Sequence, residues 1–169
     1  MSDRSAFWSA PPDWQEARIA RPGLQIAVRG EPCTLVSGNT GAWLAAQGIA
    51  PAIGPREDCP EGPYALRLAP DSVLVVGMAS AEEGWQAEQC VALSPCSDGW
   101  LVFEILGEDA AALMAEGSEY RFSASPGLPT ESARLLFAGV VVAVARCRGG
   151  WRLHVERAWA PALWCWLAR

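Results

Sequence analysis

One histidine, six cysteines and nineteen acidic residues are the side chains of this 169-residue sequence best suited to act on a substrate or hold a metal. His154 stands in the alternating segment Trp151-Arg152-Leu153-His154-Val155. That pattern predicts a strand with Trp151, Leu153 and Val155 on one face and Arg152 and His154 on the other. No second histidine and no serine or cysteine motif accompanies it, so His154 reads as an outward-facing polar residue rather than a general base. Glu57, Asp58 and Glu61 cluster in a proline-rich stretch, and Glu82 and Glu83 fall in the first turn of an expected helix. Paired carboxylates do acid–base work only where a pocket raises one pKa. In loops and at helix starts they are ordinarily solvated or capping. Cys33, Cys59, Cys90, Cys96, Cys147 and Cys165 contain no C-x-x-C, and the nearest pair, Cys90 and Cys96, has five residues between. Zinc sites want paired ligands at short spacing, so no metal centre is expected and the thiols read as structural.

Other chemistry is excluded by composition. All thirteen basic residues are arginine. A chain without lysine has no P-loop lysine and no Schiff base, and Gly38-x-x-Gly41 before a helix is not a dinucleotide fingerprint. The net charge is −6 and no basic patch gathers, which argues against nucleic acid as a partner. No apolar leader follows the first residues, so a secretory signal is not expected. The longest aliphatic run, eleven residues from Leu135 to Ala145, is about half a membrane span and reads as a buried strand. A cytoplasmic chain with reduced thiols is the expectation.

The elements that would position these residues follow from periodicity and turn chemistry. Residues 1–22 read as an arm, proline-containing but bearing Phe7, Trp8 and Trp14, with Pro12 opening a short helix to about Ala20. Residues 23–169 read as a single domain, a length that buries a core without staples. Strands are expected at Leu24–Val28 and Cys33–Val36, then a helix at about Thr40–Gln47 between Asn39 as N-cap and Gly48 as stop. Ala50–Pro63 reads as a loop. Tyr64–Leu68 and Val73–Gly77 form a hairpin about Pro70-Asp71. Ser80 with Glu83 makes a capping box for a helix to about Gln89. A strand at Leu101–Leu106 and a helix at about Glu108–Glu116, stopped by Gly117, come next. A loop follows at Ser123–Thr130. Strands Arg134–Arg146 and Trp151–Val155 are joined through Gly149-Gly150, and a final helix runs over about Trp159–Ala168 with Pro161 in its first turn.

The order strand, helix, hairpin, helix is thus stated twice. Thr34–Gly48 also lies over Phe103–Gly117 without gaps at an offset of 69, with five identities: Gly38/Gly107, Ala42/Ala111, Leu44/Leu113, Ala46/Ala115 and Gly48/Gly117. The fold class is α+β, two interleaved strand-helix-hairpin-helix repeats forming mainly antiparallel sheet with helices packed on it.

Nine tryptophans are an excess, and the last helix carries three of them. Trp159, Leu163, Trp164, Trp166 and Leu167, with Cys165, put apolar groups around its whole circumference. Either the fold wraps such a helix or a partner covers one face. Tryptophan anchors interfaces, so these five residues are the candidate interface.

Three stretches resemble the gamma subunit of heterotetrameric sarcosine oxidase. Tyr64–Gly77 (YALRLAPDSVLVVG) is similar to its leucine-glycine-proline-aspartate hairpin. Ser132–Val140 resembles its arginine-bearing strand. Trp151–Leu167 (WRLHVERAWAPALWCWL) resembles its closing strand and tryptophan-rich helix. The resemblance implies the fold of the folate-binding domain of glycine-cleavage aminomethyltransferases and a non-catalytic role. It implies that this chain holds no cofactor, with FAD, FMN, NAD and tetrahydrofolate carried by larger flavin-bearing subunits. Departures are Val91-Ala92-Leu93-Ser94 for an aspartate-bearing turn, Arg134-Leu135 for an arginine-threonine pair, and Gly117-Ser118-Glu119 for a glycine-cysteine-proline turn. The rival reading is a stand-alone module for folate or another small ligand. It needs a pocket between the repeats, with Arg67 and Arg134 as its anion-binding candidates.

Overall fold

Apolar residues at every second position build two antiparallel sheets in the computed structural model, which describes residues 11–80, 82–122 and 131–169. In chain order the strands are β1 (Arg18–Arg21), β2 (Leu24–Arg29), β3 (Cys33–Gly38), β4 (Tyr64–Ala69), β5 (Ser72–Val76), β6 (Gly84–Gln86), β7 (Val91–Pro95), β8 (Trp100–Leu106), β9 (Arg134–Phe137), β10 (Val140–Cys147) and β11 (Gly150–Glu156). The helices are α1 (Thr40–Ala46), α2 (Ala110–Gly117) and α3 (Ala160–Leu167). One sheet has the order β1-β2-β8-β11-β10-β9 and the other β4-β5-β3-β7-β6.

Read from their β1 and β6 edges, the sheets have matching orders: β1-β2-β8-β11-β10 and β6-β7-β3-β5-β4. Each half of the chain therefore opens with a hairpin that joins the sheet of the other half. The hairpin β1–β2 pairs with β8, and β6–β7 pairs with β3. The fold is α+β with two interleaved repeats, and β9 and α3 are additions to the second.

Side-chain alternation divides the interior into layers. Phe103 and Ile105 of β8, with Leu153 and Val155 of β11, face Met114 of α2 and Leu163 and Leu167 of α3. Val36, Val73, Val75 and Leu93 face Trp43 and Leu44 of α1. Between the sheets, Leu66, Leu74 and Val76 meet Ala143 and Ala145 of β10. Small side chains on β10 let β4 approach closely there. Each sheet thus carries helix on its outer face and the other sheet on its inner face.

Two expected helices are strands. The segment read as helix from Pro12 is a turn followed by β1, whose residues pair with Leu24–Ala27. The segment from Ser80 holds β6, paired with β7 from Gly84↔Leu93 to Gln86↔Val91. The Ser80 hydroxyl accepts from the Glu82 amide at 3.1 Å and donates to the Glu82 carbonyl, a local turn instead of a capping box. Gly84, at φ +91°, breaks any helix there, and sheet pairing outweighs the weak helical preference of so short a segment. The long strand expected from Arg134 to Arg146 is cut at Ala138-Gly139, both at positive φ, into the hairpin β9–β10. The next hairpin turns at Arg148-Gly149, one residue earlier than expected, because Cys147 pairs with Gly150. Asn39 is the N-cap of α1 but makes no side-chain capping bond. The aromatic residues Phe7 and Trp8 and the loop Ser123–Thr130 lie outside the described residues.

Candidate functional site

The two sheets part where β2, β8 and β11 run beyond the close contact of β4 with β10. The inner face of these three strands is polar at that point. Glu104 faces Arg152 across one strand pair and Ala27 across the other, with Arg29 diagonally beside it. Arg152 reaches the Glu104 carboxylate through Nε at 3.0 Å and Nη2 at 2.9 Å, and Arg29 through Nη1 at 3.2 Å. All three contacts fall on Oε1. Arg29 also pairs with Glu31 at 3.0 Å. Arg152 and Glu104 are only 18% and 17% exposed, so each charge offsets the other's loss of water. Over this network lies an open cavity of about 430 Å³, bounded at its rim by the loop before β4 and the β10–β11 turn.

Next to the network on β11 stands His154, fully buried. It was expected to face outward, and its face does point away from the helices as the alternation requires. That face is covered by the second sheet. Its Nδ1–H donates to the Ala143 carbonyl at 3.0 Å, which leaves Nε2 to accept from the Tyr64 hydroxyl at 2.7 Å. Burial pushes His154 down to about 4, and the nearby Arg152 cation works in the same direction. The imidazole is neutral at pH 7 with both nitrogens occupied. It ties β4 to β11 across the sheet interface and has no free lone pair for a substrate proton. Burial holds the Tyr64 hydroxyl far above the ordinary phenol range.

The other chemistry-bearing residues do not converge. The Glu57 carboxylate accepts from the Gly54 amide at 2.6 Å, and exposed Asp58 pairs with Arg146 at 3.4 Å. Glu82 and Glu83 are exposed beside β6. The Arg67 guanidinium is engaged by the Ala52 and Glu131 carbonyls, while Arg134 is exposed on the edge strand β9, so the two candidate anion ligands serve separate places. All six cysteines are unpaired thiols. Cys59 and Cys147 line the cavity, but burial raises both, Cys147 to about 11, which keeps them protonated and poorly nucleophilic. Among the described residues no group of three or more His, Cys, Asp or Glu is placed to hold a metal ion. No described helix is long and apolar enough to cross a membrane.

Helix α3 is wrapped in large part by the chain itself. Leu163 and Leu167, two of the candidate interface residues, are fully buried against the outer face of the six-stranded sheet. Trp164 is half-buried against Phe103 at 6.0 Å and Trp14 at 6.2 Å, and Trp166 meets Phe137 edge-on at 5.2 Å. Trp14 thereby fastens the N-terminal segment to the last helix. Trp159 is different, with 56% of its surface exposed at the helix start.

No family model matches the sequence, and no curated protein matches it. Among solved structures, a chain of the heterotetrameric sarcosine oxidase from Corynebacterium sp. U-96, solved in complex with pyrrole 2-carboxylate, superimposes with a TM-score of 0.67. The two chains share a fold. The match covers 92% of this chain and 87% of that one at 17% identity, so it is a distant structural relationship.

The residues of the inter-sheet site were not singled out by sequence reasoning, although one signal was present. Glu104 is a lone acid within Trp100–Leu106 (WLVFEIL), and Arg152 alternates with core residues. A charge on the buried period of a strand calls for a partner of opposite sign on a neighbouring strand. Pairing β8 with β11 and β2 supplies two.

Proposed function

We propose that this chain is a non-catalytic, gamma-type structural subunit of a heteromeric sarcosine-oxidase-like flavoenzyme. In this reading the complex oxidatively demethylates sarcosine or a related N-methyl amine in the cytoplasm. FAD, FMN, NAD and tetrahydrofolate belong to larger partner subunits. The observation that carries the reading is the breadth of the structural match: 87% of a chain from a heterotetrameric sarcosine oxidase, by a chain of comparable length. The site chemistry supports a structural role. His154 is neutral and saturated, the cavity thiols are protonated, and the arginines and Glu104 neutralise one another. Exposed Trp159, beside the packed tryptophans of α3, supplies an aromatic anchor of the kind that interfaces use. The test is co-purification of the chain with a larger flavin-bearing protein.

One observation favours a second reading, a ligand-binding module that stands alone. The 430 Å³ cavity lies between the two sheets, where such a module would need it. A stable, flavin-free monomer would select that reading.

A further inference from the structure

Six charged residues line the inter-sheet cavity: Arg29, Glu31, Glu61, Glu104, Arg148 and Arg152. They sum to zero, and their arrangement is uneven. Arg29, Glu31, Glu104 and Arg152 form one continuous ion-paired network on the floor. Arg148, in the β10–β11 turn, and Glu61, in the loop before β4, make no hydrogen bond or ion pair with another described residue. One uncommitted cation and one uncommitted anion therefore rim a cavity whose floor is already neutral. Oε2 of Glu104 is uncommitted too, because both guanidiniums bind Oε1. Pro60, Pro63 and Leu106 give the wall an apolar portion.

A net anion such as phosphate would meet as many carboxylates as guanidiniums here, and a net cation the reverse. A molecule carrying both charges a few ångströms apart satisfies both rim residues at once. The volume lies in the range of small-ligand sites. We propose that this cavity binds an amino-acid-sized zwitterion, its carboxylate held by Arg148 and its ammonium group by Glu61 and Glu104. Guanidinium–carboxylate pairing supplies orientation at one end, and charge-assisted contact to carboxylate oxygen supplies it at the other. This site does not depend on the subunit reading, since every residue in it belongs to this chain.

The test is calorimetric titration and thermal shift on the purified full chain, or on its complex if it purifies only as one. Glycine, proline, phenylalanine and betaine are the zwitterions, with acetate and methylammonium as the separate halves. At least one zwitterion is expected to bind one-to-one and raise the melting temperature, while neither half does so at the same concentration. Arg148→Gln and Glu61→Gln, both at exposed positions, should each lower the affinity about tenfold without moving the unliganded melting temperature. Absence of binding by all four zwitterions to the folded chain overturns the proposal. So does acetate binding as tightly as the best zwitterion, or wild-type affinity in both variants.

Discussion

Gly38 and Gly107, 69 residues apart, occupy the same place in the two halves of the fold. Gly38 ends β3 and Gly107 directly follows β8, both at positive φ, +110° and +118°. The Gly38 amide donates to Asp71 in the β4–β5 turn, and the Gly107 amide donates to Gly149 in the β10–β11 turn. Immediately beyond, the amides of Asn39 and Asp109, the N-caps of α1 and α2, donate to Cys90 and Gly23, which precede the strands exchanged between the sheets. A Cβ on Gly38 would overlap the Cys90 carbonyl, and one on Gly107 would overlap the Gly23 carbonyl. The exchange of opening hairpins is thus locked at two equivalent points where only glycine fits.

Gly107→Ala and Gly38→Ala should each destabilise the chain by roughly 2 kcal/mol or more, from left-handed backbone strain plus displacement of the exchanged strand. Gly30→Ala, with open space around it and an ordinary φ, serves as the control and should change stability by less than about 0.5 kcal/mol. Denaturant unfolding of the three variants checks this. Equal stabilities would remove the locking role.

His154 makes stability depend on pH in a defined window. Its folded value, about 4, lies below the ordinary 6.5, so the unfolded chain binds the proton more readily. The contribution is fully present above pH 6.5 and is lost as pH falls towards 4. Its size is on the order of 3 kcal/mol. Unfolding free energies measured from pH 7 to 4.5 should fall in the wild type. His154→Gln should flatten that part of the curve, and an unchanged slope would contradict the assignment.

Tyr64→Phe removes the hydroxyl that serves Nε2 of His154. It leaves a buried acceptor unsatisfied and should cost about 1–3 kcal/mol in equilibrium unfolding. It should also leave the pH dependence of His154 in place, since burial and the Ala143 bond remain.

Glu104→Ala leaves the Arg152 and Arg29 guanidiniums without their shared counterion. The expected loss is roughly 2–4 kcal/mol, below the fully buried limit because both partners retain some water. Pairing it with Arg152→Met should recover a large part of that loss. A double-mutant cycle in urea measures the coupling, and additive losses would show that the network carries no coupling.

Much of this fold was legible in residue pattern. Period-two alternation found most of the central strands, and glycine and proline punctuation found the hairpins β4–β5 and β10–β11 and the helices α1, α2 and α3. The two segments misread as helix share one physical origin. β1 and β6 are edge strands of four and three residues, too short to show a period, and both sit where N-cap and proline signals suggest helix. Their identity is decided by pairing with the following strand, which local sequence does not encode. They also occupy equivalent places in the two repeats. The ungapped repeat comparison holds at Gly38/Gly107 and then slips, because one more residue separates Gly107 from its N-cap than separates Gly38 from its own. Buried Leu44 therefore corresponds to Met114 in the fold, not to Leu113. The site was less legible than the fold. His154 was placed on the correct face, but the second sheet that covers this face comes from residues about 60–120 positions away.

Trp159 and Trp164 separate folding from assembly. Trp164→Ala removes an aromatic packed on Phe103 and Trp14 and should cost about 3 kcal/mol of stability. Trp159→Ala should leave stability within about 0.5 kcal/mol while weakening association by about 2 kcal/mol, as the loss of an interface anchor does. Unfolding curves and co-purification yields of the two variants distinguish the roles.

The most direct measurement is the native mass and visible absorption of the tagged chain isolated from its own source. A subunit of a sarcosine-oxidase-like enzyme would emerge in a yellow complex with larger chains, sarcosine-oxidising activity following the tag. Quantitative recovery as a colourless 18.1 kDa monomer would contradict the subunit assignment.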